Sequence, residues 1–191
     1  MRIEHVFGDL PSIPTERLLL RKLRLEDAAD VFDYASDPEV SRYVVWDAHN
    51  SIEDSRNFLA ATIEQYRNGH VSSWGIELRS TGRVIGTIGF VYWNIDHART
   101  EIGYAMHRRE WGKGLMTEAV RGVIDFGFAT MELNRIEARC EAANTGSWRV
   151  MEKTGMTFEG LLRQQMYVKG SYRDLKMYAI LRRNWLETRR D

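Results

Sequence analysis

The sequence predicts a single mixed α/β domain, and three observations carry that expectation. The hydrophobic period alternates between two and about 3.6 along the chain, so strand and helix signals interleave. The 191 residues contain no repeat, low-complexity tract or linker that would divide them. With 43% hydrophobic and 28% charged residues, the chain can bury one sizeable core without disulfide or metal support, and its balance is that of a globular protein rather than a disordered one.

Pro11 and Pro14 mark residues 1–12 as an irregular lead-in to a domain over 13–186, with 187–191 as a tail. Residues 15–25 (TERLLLRKLRL) form a short apolar run with basic interruptions, an edge or half-buried strand. Residues 25–36 carry Ala28, Ala29, Val31 and Phe32 behind early acids, as a helix start favours. Ser51 followed by Asp54 resembles a capping box, and Phe58, Leu59, Ile63 and Tyr66 recur at helical spacing until Asn68-Gly69. From Ser73 the period becomes two, and a turn at Ser80-Thr81-Gly82 joins that strand to one over 83–93 as a hairpin. A strand over 100–106, a helix over 115–131, a strand over 136–142 and a short helix over 145–154 follow. Two strands near 162–168 and 172–181, joined at Lys169-Gly170, close the domain.

Composition narrows the function classes. Lys+Arg 27 cancels Asp+Glu 27, so no overall basic field exists to capture nucleic acid or an anionic membrane. Cys140 is the one cysteine, which excludes an internal disulfide framework; it falls on the apolar side of its strand and reads as core. The five histidines are scattered with no metal-ligand spacing, so no metal is expected. No apolar run approaches the ~20 residues of a membrane span, and no signal peptide is apparent. The expectation is a soluble, cytoplasmic protein without membrane or nucleic-acid partners.

The segment TEIGYAMHRREWGKGLMTEAV, residues 100–120, carries the chemistry. A strand ends near Met106, a loop holds Arg108, Arg109, Gly112, Lys113 and Gly114, and a helix begins at once with Leu115 and Met116. A helix N-terminus offers unsatisfied N–H donors and partial positive charge, and the glycines let backbone approach an anion closely. A solvated basic turn is the plain alternative. Neither G-x-x-x-x-G-K-[ST] nor G-x-G-x-x-G is present, so nucleotide hydrolysis and dinucleotide binding lose their support. On the preceding strand, alternation sets Glu101, Gly103 and Ala105 on one face and Ile102, Tyr104 and Met106 on the other. Glu101 is therefore a candidate general base beside room for a slender ligand, or else a carboxylate in a cross-strand ion pair.

Arg109-x-x-Gly112-x-Gly114 between strand and helix resembles the acyl-CoA pyrophosphate motif of the GNAT N-acyltransferase superfamily. With TERLLLRKL, RIEARCEAANTGSWRVMEKTGMTFEG and YRDLKMYAIL, the chain resembles the RimJ/RimL-type branch over roughly residues 13–184. The resemblance implies a central mixed sheet splayed between its fourth and fifth strands, helices on both faces, and acetyl-CoA in the opening. It implies cofactor contacts from Met106, Arg108, Arg109, Gly112, Lys113, Gly114, Leu115, Met116, Asn144 and Ser147. It places Glu101 where many members carry the carboxylate that accepts the amine proton, and Ser147 where a hydroxyl protonates the leaving thiolate. Asn144 is also a good helix N-cap with Ser147 at N3, a structural role that leaves the hydroxyl free. Some ribosomal-protein-modifying members carry a further carboxylate where Met166 stands here, which shifts the role of base to Glu101.

The expected activity is acetyl transfer from acetyl-CoA to a primary amine, a protein N-terminal α-amine or a small molecule, by direct attack without a covalent enzyme intermediate. A non-catalytic acyl-CoA sensor on the same fold is the alternative from another class, and an RNA-associated module a third. Trp46, Tyr92 and Trp93 are candidates for an acceptor pocket, with packing the plainer role. The resemblance makes a homodimer reasonable.

Overall fold

The computed structural model describes residues 6–187; residues 1–5 of the expected lead-in and 188–191 of the expected tail lie outside the described residues. One sheet holds eight strands: β1 (Ile13–Pro14), β2 (Leu18–Arg21), β3 (Ser73–Leu78), β4 (Arg83–Asn94), β5 (Arg99–Met106), β6 (Arg135–Glu141), β7 (Thr157–Val168) and β8 (Ser171–Leu181). Their order is β1-β2-β3-β4-β5-β6-β8-β7, and only the β5–β6 pair runs parallel. The helices that follow the lead-in are α1 (Ala28–Ala35), α2 (Pro38–Ser41), α3 (Ile52–Arg67), α4 (Leu115–Ala129), α5 (Thr145–Lys153) and α6 (Arg182–Glu187).

Helices cover both faces. Trp74 on β3 is fully buried and meets Phe126 of α4 edge-on at 5.5 Å and Phe90 of β4 at 5.8 Å. Its indole N–H donates to Pro11 O at 2.7 Å, which draws the lead-in onto the sheet, where Phe7 and Leu10 are buried. Thr87 alternates with Ile88, the cross-strand partner of Trp74, and faces the other way, onto Tyr34 of α1. Each large apolar side chain so buried contributes roughly 1.5–3 kcal/mol, so this layered core dominates stability.

The β5–β6 pairing runs from Arg99–Arg135 to Ile102–Ala138 and stops. Beyond it residues 103–106 stay paired to β4 and residues 139–141 to β8, so the two halves of the sheet diverge. This is the expected opening; the two-residue β1 makes it fall between the fifth and sixth strands in this count.

Several elements differ in detail from the sequence expectation. The strand expected over 15–25 shrinks to β2, which is interior because β1 pairs outside it; Leu18 and Leu20 are fully buried. It ends where Arg21 turns its guanidinium to the Asp27 carboxylate, with 2.8 Å contacts to both oxygens. That same carboxylate accepts from Arg24 N–H at 2.8 Å, so the helix expected from residue 25 begins as a 3-10 turn, Leu25–Asp27, before α1. The Ser51–Asp54 capping box forms as expected at the start of α3. Strand β7 starts at Thr157 rather than near residue 162; it is an edge strand with mostly exposed side chains, so no burial pattern marks its beginning.

Candidate active site

The loop after β5 is built by short-range contacts. His107 Nδ1 accepts from Arg109 N–H at 3.0 Å and so caps the 3-10 turn Arg108–Glu110. The Trp111 indole N–H donates back to Met106 O at 2.8 Å, closing the loop on the strand end. Gly112 and Gly114 then adopt φ of +75° and +78°, a region costly for side-chain-bearing residues. Gly114 is the N-cap of α4, and no side chain caps that helix. The first N–H groups of α4 therefore have no side-chain acceptor, and the helix dipole adds positive potential there.

These residues form one wall of a cavity of about 600 Å³ in the β5–β6 opening. Tyr104, Ala105 and Met106 of β5 supply the floor, Gly112, Gly114, Leu115 and Met116 one side, and Asn144 and Ser147 the other. Val40, Tyr43 and Val44, from α2 and the segment after it, also reach the cavity. Asn144 caps α5 by accepting from Ser147 N–H at 3.1 Å. The Ser147 hydroxyl lies 3.0 Å from the Tyr104 hydroxyl, which also donates to Ser147 O at 3.2 Å. Burial pushes the Tyr104 phenol pKa well up, so it stays a proton-bearing group at neutral pH. Cys140 is buried behind Ser147, with its thiol 4.0 Å from Asn144 O, and burial raises its pKa.

Glu101 lies one residue before the last β5–β6 rung, on the face opposite Tyr104. It is buried and doubly bound to Arg139 of β6, at 3.0 Å to Nε and 2.7 Å to Nη2. Its cross-strand neighbours Tyr92 and Glu137 continue a charged layer, in which the Tyr92 hydroxyl donates to Glu137 at 2.8 Å. Burial and the Glu137 charge push the Tyr92 phenol up to about 12. Burial would raise the Glu137 carboxyl, but Arg135, Tyr92 and Arg99 outweigh it and hold it below its ordinary value.

The expected site residues separate into groups. Met106, Gly112, Gly114, Leu115, Met116, Asn144 and Ser147 come together around the cavity. Arg108, Arg109 and Lys113 sit exposed on the loop outside its lining; Arg108 is 4.0 Å from Asp37, and Lys113 pairs with Glu110 at 3.0 Å. Glu101 is not among the cavity's lining residues, although Ala105, further along its own strand face, is. Of the aromatic candidates for an acceptor pocket, Trp93 is in the core, Tyr92 serves Glu137 and Trp46 packs near His49 at 5.9 Å; none lines this cavity. Sequence spacing marks neither Tyr104 nor Tyr43 as a site residue. Alternation had placed Tyr104 with the core residues Ile102 and Met106, and only the end of the β5–β6 pairing opens space beneath it.

The description of the acetyltransferase (GNAT) domain matches residues 17–157. The chain belongs to this family. It is similar to the N-acetyltransferase p20 of Bacillus licheniformis, 38% identical over 92% of this chain and 99% of the relative. A GNAT-family acetyltransferase of Bacillus anthracis, solved by crystallography, superposes with a TM-score of 0.81 at 32% identity, covering 91% of this chain and 99% of the other. RimL, a ribosomal α-N-protein acetyltransferase solved in complex with coenzyme A, shares the fold at a TM-score of 0.78 and 21% identity, covering 90% and 98%. This GNAT chain is an acetyltransferase, and its eight-stranded mixed sheet is the fold of those neighbours.

Proposed function

We propose that the enzyme transfers the acetyl group of acetyl-CoA to a primary amine, either a protein N-terminal α-amine or a small-molecule amine, by direct attack. The observation that carries this reading is the single cavity running from the uncapped start of α4 to Ser147 through the β5–β6 opening. The residues present suit a CoA thioester: glycines with positive φ and free N–H donors fit a pyrophosphate, and residues 103–106 have strand pairing on the β4 side alone for a pantetheine amide to match. RimL, which shares the fold, is solved in complex with coenzyme A, and this supports a CoA thioester as the donor. Acetyl-CoA supplies the activated acyl group.

The chain's own residues then hold and move protons. Glu101 accepts the amine proton through water, with its carboxylate held in place by the Arg139 guanidinium. Ser147, oriented by Asn144 and Tyr104, donates a proton to the departing thiolate. An α-amine with pKa ≈ 7.7–8.0 suits such a base better than lysine near 10.4, which costs roughly 3 kcal/mol more to deprotonate. Holding amine and thioester in line supplies most of the remaining acceleration. Turnover of acetyl-CoA against a panel of N-terminal peptides and small amines tests the proposal. CoA release that depends on one amine class supports it; binding without turnover of any amine leaves the sensor reading instead.

A further inference from the structure

Behind the cofactor loop, on the side away from the cavity, the β1–β2 turn is tied to α4 through one carboxylate. Glu118 accepts from the Thr15 hydroxyl at 2.6 Å, from Arg17 N–H at 2.7 Å and from Arg17 Nε at 2.7 Å. The remaining arm of that guanidinium reaches the loop itself, where Arg17 Nη1 donates to Lys113 O at 3.0 Å. Gly114 borders both the cavity and the groove behind it, whereas Arg17 and Glu118 border the groove alone.

A trans peptide points its carbonyl and N–H to opposite sides. A guanidinium holding the Lys113 carbonyl from behind therefore turns the Gly114 N–H toward the cavity. Glycine on both sides of Lys113 leaves this peptide unusually free to rotate, so an external hold has something to fix. We propose that Arg17, anchored by Glu118, is a positioning residue that locks the Lys113–Gly114 peptide with its N–H aimed at the pyrophosphate of acetyl-CoA. The inference rests on the cofactor placement proposed above and adds residues that touch neither substrate. Arg17 is 45% exposed as a side chain, so its ion pair adds little to overall stability and its effect is local. Burial of Glu118 opposes its ionisation, but the Thr15 and Arg17 hydrogen bonds outweigh this and keep the carboxylate charged.

The test compares two acyl donors, acetyl-CoA and acetyl-pantetheine, which lacks the pyrophosphate, on wild type, Arg17→Ala and Arg17→Lys. Arg17→Ala is expected to raise KM for acetyl-CoA about tenfold, with KM for acetyl-pantetheine and for the amine unchanged. Arg17→Lys, which keeps charge but loses the fork, should restore only part of the loss. Equal loss for both donors, or no loss for either, overturns the positioning role while leaving the cofactor site intact. If the wild type binds no acetyl-CoA by calorimetry, the cofactor placement itself is overturned and the inference with it. Should Arg17→Ala fail to fold, Glu118→Gln is read in the same way, since it removes the anion that orients the guanidinium.

Discussion

Glu101 shows how a single carboxylate takes its properties from partners distant in sequence. Two hydrogen bonds from Arg139, 38 residues away, hold it in place at the root of the sheet opening. Glu101→Gln keeps the shape and removes the proposed proton acceptor, so kcat should fall about 10²–10⁴-fold, with the loss shrinking as pH rises toward the amine's own pKa. Superimposable pH–rate profiles of the two proteins would reduce Glu101 to an ion-pair partner. Ser147→Ala should lower kcat about 10²-fold with little change in acetyl-CoA affinity; a wild-type kcat leaves Ser147 only its place at N3 of α5. At this scale the sequence revealed what short-range spacing encodes: the glycine loop and the Asn144–Ser147 cap were both legible. The Arg139 partner, the Tyr104–Ser147 contact and the Arg17–Glu118 tie were not, because each joins strands or helices whose meeting depends on the sheet order.

Strands β4 and β5 act as one element supporting the cavity floor. A Cβ built on Gly86 would lie 2.3 Å from Ala105 O and 2.9 Å from Met106 Cα, so the two backbones pass too closely for any side chain. Gly86→Ala must push β4 away from β5 against backbone that cannot rotate aside. We expect a stability loss of about 1–3 kcal/mol by urea denaturation, together with weaker acetyl-CoA binding; unchanged values for both would show that the sheet yields there without cost. Elements with strong periodicity were legible from the sequence, as α3 and α4 show with their apolar faces and turn signals. Short or exposed elements were not. The four-residue α2 has too few positions to show a period, and the start of β7 has no buried face.

Across the whole molecule, the same ion pairs that organise the face of the sheet set its response to acid. Asp27, Glu137 and Glu159 all have carboxyl pKa values below their ordinary ones; at Glu159 the Arg135 hydrogen bond leads, and at the other two such bonds overcome burial. Each binds its proton more weakly folded than unfolded, so the stability it adds is complete above the ordinary carboxylate range and is lost as pH falls through the lowered values. The urea midpoint should hold steady down to about pH 5 and then fall progressively below about pH 4. A midpoint that rises over that acid interval would contradict the assignment. The central claim, that acetyl-CoA is held where the β5–β6 opening meets the start of α4, is tested most directly by calorimetric titration of acetyl-CoA into wild type and Gly112→Val. Gly112 has φ of +75° and open space around its Cβ position, so valine there strains the loop and occupies the pyrophosphate's approach. The account predicts binding to the wild type and a loss of about tenfold or more, about 1.4 kcal/mol, in a variant whose circular dichroism is unchanged. Equal affinity in the two proteins would contradict it.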